Sequence, residues 1–194
     1  MRRIIAFVFS VILAASLASA QEKPAAPERP GLPPPAQTPP PPAAKAEDVS
    51  SPDAIIAALY DVISGPVGQK RDWDRFRSLF ASGARLIPTG RNAQTGEFRL
   101  AALDPEGYIT RSSAFLEQSG FVEKEIARHS ERFGQILHAF STYEGRRGTD
   151  TVPFVRGINS IQLFSDGKRW WIVTVYWQAE SPETPLPKEF LPAP

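Results

Sequence analysis

The sequence predicts an α+β domain in which three N-terminal helices pack against a strongly curved, mainly antiparallel sheet. Three observations carry that prediction. Apolar residues recur at helical spacing in runs between Ser51 and Gly120. From Phe121 onward the period changes to two and holds through four long segments. Asp166-Gly167 lies between two alternating apolar runs, a strong hairpin signal because a type I′ turn needs positive φ at both central residues.

Two segments precede that domain. Arg2 and Arg3 stand before an apolar run, Ile4–Leu13, broken only by Ser10, and Ala18-Ser19-Ala20 supplies the small residues of a cleavage site. Residues 1–20 therefore read as a signal peptide, with export to a bacterial periplasm and Gln21 as the mature N-terminus. The run is shorter than the roughly 20 residues a membrane-crossing helix needs, so no stable membrane span is expected after cleavage. Residues 21–48 carry much of the chain's proline and almost no large apolar side chain, which predicts an extended, disordered segment. The domain is assigned to residues 49–181. Residues 182–194 form a second Pro-rich tail, in which Phe190 and Leu191 are the side chains suited to dock.

Within the domain, Ser51-Pro52-Asp53 supplies an N-cap, a proline at the first helical position and an acid at the positive end of the dipole. Ile55, Ile56, Leu59, Val62 and Ile63 then share one face until Gly65-Pro66 stops the helix. A second helix is predicted from Asp72, with Trp73, Phe76, Leu79 and Phe80 on its apolar side and Gly83 as its stop. Arg85–Thr89 and Phe98–Leu103 read as short strands. Asp104-Pro105-Glu106 opens a third helix that ends at Gly120. Four long strands follow, over 121–132, 135–146, 154–165 and 168–180, with Phe133-Gly134 turning the first hairpin and Asp166-Gly167 the last.

The 194-residue chain has no cysteine and a formal net charge of +1. A disulfide scaffold, a thiolate metal site and a Cys nucleophile are thereby excluded. Near-neutral charge argues against nucleic acid as a generic partner. HExxH, GxSxG and a phosphate-cradling Gly-rich loop are all absent, and neither a metal nor a cofactor is expected.

The stretches WDRFRSLFASGARLIP, GQILHAFSTYEGRR and RGINSIQLFSDGKRWWIVTVYWQ, in this order of elements, resemble the NTF2-like superfamily, particularly its SnoaL-like bacterial members. The resemblance covers about residues 50–180 and implies an open cone: a bent sheet closing on three helices around an apolar pocket. It also implies homodimer pairing through the outer sheet face. Some relatives are isomerases, dehydratases or cyclases that use a pocket Asp or His, and others are binding or assembly modules, so the fold leaves the activity open. No catalytic residue carries over from the family.

The residues themselves nominate three ligand-contacting candidates: His129, Arg156 and Trp177. A two-residue Asp166-Gly167 turn places Arg156 opposite Trp177, a cation–π pair suited to an anionic or aromatic ligand or to simple sheet closure. A two-residue Phe133-Gly134 turn places His129 opposite His138 with Glu125 and Glu131 nearby, an arrangement fit for zinc or acid–base work unless a one-residue slip separates the faces. Glu123, Glu125, Glu131 and Glu144 read as solvated or paired with neighbouring Lys and Arg. Trp170, Trp171, Tyr176 and Trp177 crowd the last strand and make both its faces apolar, which calls for a second subunit over the outer one. The expected function is binding of a small apolar or amphipathic ligand. The alternatives are a cofactor-free lyase or isomerase of the SnoaL/ketosteroid-isomerase type, with His129 or a pocket carboxylate moving a proton, and a non-catalytic envelope assembly module.

Overall fold

The structure is a computed structural model, and it describes residues 40–92 and 94–192. The leader expected over residues 1–20 and the Pro-rich segment up to residue 39 lie outside the described residues. The element order is α1 (Ala46–Val49), α2 (Pro52–Ile63), α3 (Trp73–Ser78), β1 (Phe80–Arg91), β2 (Phe98–Leu100), α4 (Pro105–Ser119), β3 (Phe121–Phe133), β4 (Ile136–Arg147), β5 (Val155–Ser165) and β6 (Trp170–Ala179), with a 3-10 turn at Lys188–Phe190. The strands form one six-stranded sheet in the order β2-β1-β6-β5-β4-β3. All neighbours pair antiparallel except β1 with β6, which run parallel. Among the described residues no helix is long and apolar enough to cross a membrane.

The helix starts follow their caps. Ser51 Oγ accepts the N–H of Ala54 at 3.0 Å, and Asp104 Oδ1 accepts that of Gly107 at 2.7 Å, each ahead of a proline in the first turn. The apolar face of α2 is buried against the sheet at all five anticipated positions, from Ile55 to Ile63. The second helix is shorter than its periodicity suggests and stops at Ser78. The cause is tertiary: the Leu79 carbonyl accepts the N–H of Ile172 at 2.9 Å, so Phe80 enters the sheet as the first residue of β1. Parallel pairing with β6 overrides the local helical pattern.

Regular structure begins inside the segment assigned as disordered, residues 21–48. Residues 46–49 form α1, Ala44 packs on the core, and Asp48 is buried in a bidentate ion pair with Arg75, at 2.7 and 2.9 Å. The hydrogen bonds from Arg75 hold the Asp48 carboxyl below the usual aspartate range. This pair adds stability above the unfolded-state pKa that is lost as pH falls through the lower folded value. Asp48→Ala is expected to cost about 1–3 kcal/mol, since Arg75 keeps its second partner, Asp61. Urea unfolding at neutral pH checks this, and an unchanged midpoint would refute it.

Both hairpin registers differ from expectation. The β5–β6 connection is a four-residue loop closed by Asp166, whose Oδ1 accepts the N–H groups of Lys168 and Arg169 at 2.8 Å, so Ser165 faces Trp170. A bulge at Val173 shifts the ladder once more, and Trp177 faces Asn159. The β3–β4 turn is Gly134-Gln135, so His129 faces Phe140, and Glu131 faces His138. A second bulge, at Ile126, reverses the faces of β3 beyond Glu125.

The inner sheet face carries Leu137, Ala139, Ile161, Leu163, Ile172 and Val175 onto α2 and α3. On the outer face the C-terminal tail docks. The Phe190 ring lies 5.5 Å from that of Phe140, and the Phe190 carbonyl accepts from the Thr142 hydroxyl at 2.6 Å. Part of the face expected to meet a second subunit is therefore covered by the chain itself.

Candidate functional site

Between α2, α4 and the inner face of the sheet lies a cavity of about 290 Å³. Leu59, Tyr60 and Ile63 come from α2; Tyr108, Ser112, Phe115 and Leu116 come from α4. The strands add Phe121 and Glu123 (β3), Tyr143 (β4), Asn159 (β5), and Val175 and Trp177 (β6). Aromatic rings wall it: Phe76 stacks on Tyr108 at 5.3 Å, and Tyr108 meets the edge of Trp177 at 6.3 Å. Gly157 lets Tyr143 lie close, because a Cβ there would sit 2.6 Å from the Tyr143 hydroxyl and 2.4 Å from the Gln178 carbonyl.

Glu123 is the charged group of this cavity. Its neighbours are apolar or neutral, and among the described lining residues none is Lys, Arg or His. Loss of water pushes its carboxyl up to about 7; the one opposing influence is a long hydrogen bond from Asn159 Nδ2, at 3.4 Å. A carboxyl with such a value is divided between its two protonation states at neutral pH, which is the condition for moving a proton in either direction. Burial, reinforced by the charge of Glu123, raises the pKa values of Tyr60, Tyr108 and Tyr143, so all three keep their protons at neutral pH and can donate hydrogen bonds.

A polar chain backs this site. Asn159 Nδ2 donates to the Tyr60 hydroxyl at 3.0 Å, Tyr60 lies 2.6 Å from Ser141 Oγ, and Ser141 donates to Glu125 Oε1 at 2.5 Å. Glu125 is held by both arms of Arg128, at 2.7 and 2.6 Å, and Arg128 also pairs with Asp53.

The three nominated residues separate. Trp177 lines the cavity. Arg156 does not stand over it: the shifted register carries Arg156 to Glu180, whose carboxylate it holds at 2.6 and 3.1 Å. His129 is on the outer face, two-thirds exposed, because the Ile126 bulge turns it away from the cavity. It does not face His138, which instead lies 3.2 Å from Ser160 Oγ. The zinc arrangement of His129, His138, Glu125 and Glu131 is thus dispersed over two faces. Glu123 and Glu125, expected to be solvated or paired with neighbouring Lys and Arg, both turn inward: Glu125 is paired with Arg128 as expected, whereas Glu123 has no cationic partner among the described lining residues. Phe121 offered the signal: it shares the period-two face of Glu123 and precedes the bulge.

No family model matches the chain, and no curated protein matches it. Among solved structures it is similar to an NTF-2 like protein of unknown function from Silicibacter pomeroyi DSS-3, with a TM-score of 0.45 and 14% identity over 68% of this chain and 94% of that one. It is also similar to an NTF2-like protein of unknown function from Shewanella baltica OS155, with a TM-score of 0.43 and 15% identity over 68% of this chain and 98% of that one.

Proposed function

We propose that the protein is an NTF2-like cone that binds a small, largely apolar molecule and moves a proton on it without a cofactor, as in isomerisation or elimination. Glu123 accepts or returns the proton, the Tyr108 and Tyr143 hydroxyls meet developing negative charge on an oxygen, and Trp177 supplies contact area. The observation that carries this reading is the carboxyl of Glu123, isolated from cations in an aromatic cavity and shifted toward neutrality. An anionic ligand fits poorly, since among the described residues no cation lines the cavity to offset Glu123.

The test is 5-nitrobenzisoxazole, a flat aromatic probe from which a base removes the ring C–H proton as the N–O bond opens to a cyanophenolate. The expected rate saturates with probe and rises with pH through a midpoint near 7, because the base is the ionised form. Glu123→Gln is expected to lower it by on the order of 10²-fold or more. A rate no greater than that of a free carboxylate, or one that Glu123→Gln leaves unchanged, refutes the proposal. Export directed by residues 1–20 and pairing of two copies through the outer sheet face belong to the same proposal. Recovery of intact Met1 from envelope fractions, or a monomer in sedimentation, would remove the corresponding part.

A further inference from the structure

The chain behind Glu123 has a direction. Glu125, gripped by Arg128, offers only acceptor oxygens to Ser141, so the Ser141 hydroxyl must donate to it. The Ser141 proton is then committed, and the 2.6 Å contact with Tyr60 requires the tyrosine to be the donor. With its own proton spent, the Tyr60 oxygen accepts, and the group it accepts from is the amide nitrogen of Asn159, at 3.0 Å. An amide nitrogen has two hydrogens, and the second points at Glu123. We propose that Glu125 is a positioning residue: acting through Ser141 and Tyr60, it fixes which way round the Asn159 amide sits and so aims an N–H at the Glu123 carboxyl.

The inference rests on the proton-transfer reading for its purpose, though the geometry stands without it. Reversing the chain has a defined consequence. If the Tyr60 hydroxyl donates to Asn159, the amide must turn its oxygen to Tyr60, and that oxygen then faces Glu123. The carboxylate loses a donor and gains a negative dipole, whereas the protonated acid gains an acceptor. The titratable groups around Glu123 are Tyr60 from α2, Tyr108 from α4 and Tyr143 from β4, with Glu125 further along its own strand. The tyrosines stay protonated throughout the neutral range, which leaves Glu123 as the group that titrates there.

The experiment is a carboxyl-carbon NMR titration of Glu123 in the full mature chain and three variants. Ser141→Ala removes one buried hydroxyl and leaves every charge in place. It frees Tyr60 to donate to Asn159, and the midpoint of Glu123 is expected to rise by on the order of 0.5–1 pH unit. Glu125→Met is expected to move it the same way. Loss of a nearby negative charge would by itself lower the midpoint, so through-space electrostatics and the hydrogen-bond chain predict opposite signs. Asp53→Ala removes the outer partner of Arg128 but no member of the chain, and is expected to leave the midpoint in place. A midpoint that Ser141→Ala leaves unchanged or lowers overturns the proposal, whatever the wild-type value. So does a shift with Asp53→Ala as large as that with Ser141→Ala. A wild-type midpoint in the ordinary carboxylate range refutes the proton-transfer reading alone, and the variant shifts still decide the chain.

Discussion

Arg71→Leu is expected to destabilise the protein by about 3–5 kcal/mol, the range for leaving a buried charged hydrogen-bonding site half made. Arg71 is only 7% exposed, and its guanidinium donates to four main-chain carbonyls: Ile63 at 2.8 Å, Gln69 at 2.5 Å, Gly65 at 3.0 Å and Leu116 at 2.9 Å. Ile63 ends α2, and Leu116 lies in the last turn of α4. Those carbonyls have no intrahelical donor, and a cation at the negative ends of two helices satisfies both at once. Burial lowers the arginine pKa, yet the group stays charged at any workable pH. Leucine fills comparable space and supplies no N–H, so the Ile63, Gln69 and Leu116 carbonyls lose this donor together, while that of Gly65 keeps the N–H of Phe121 at 3.0 Å. Arg71→Lys reaches fewer of them and should fall between. Because α2 bears Tyr60 and α4 bears Tyr108, the variant should also loosen the cavity walls. Calorimetry reads the first effect: a melting temperature within about 3 °C of wild type would mean that water replaces the guanidinium at little cost.

Nothing in the sequence distinguishes Arg71 from a surface arginine after Lys70 in a loop, and the reason is general for this chain. Features set by neighbouring residues were legible. The caps at Ser51 and Asp104, the buried stripe from Ile55 to Ile63 and the extents of the four long strands each depend on a few adjacent side chains. Features set by distant partners were not. α3 stops at Ser78 because β6 captures the Leu79 carbonyl. His129 is lost from the cavity through one extra residue, Ile126, and Arg156 is lost through a side-chain-closed loop and one bulge at Val173. A period-two face is a strong local signal until a bulge inverts it, and bulges have no reliable sequence mark. Trp177 was nominated through a pairing with Arg156 that the four-residue loop and the Val173 bulge undo, yet it lines the cavity from its new place opposite Asn159. Glu123 was missed because an acid between Val122 and Lys124 on a charged strand resembles a solvated one. Only its two-residue offset from Phe121, ahead of the bulge, placed it inside.

That misplaced acid yields the other large effect, which needs no ligand to observe: Glu123→Gln should make the protein more stable, and only where Glu123 would ionise. In the unfolded chain a glutamate titrates near 4.5, whereas in the folded cavity the value is about 7. Between those values the folded state binds a proton that the unfolded state has released, so stability falls as pH rises through this window and levels off above it. At 1.36 kcal/mol per unit the full difference is about 3 kcal/mol, an upper figure because the cavity can admit water. The substituted amide would keep the shape and accept from Asn159 but never take the charge. Urea unfolding of both proteins should give curves that approach each other below pH 4.5 and separate up to pH 7, with the variant about 2–3 kcal/mol more stable at pH 8–9. A gap that is the same at pH 5 and pH 9 would mean that Glu123 is solvated, and the cavity would lose its base. A gap that opens as described, in the variant that also loses the rate with 5-nitrobenzisoxazole, would show one carboxyl retained at a cost to the fold. That is the trade expected of a group kept for chemistry rather than for packing.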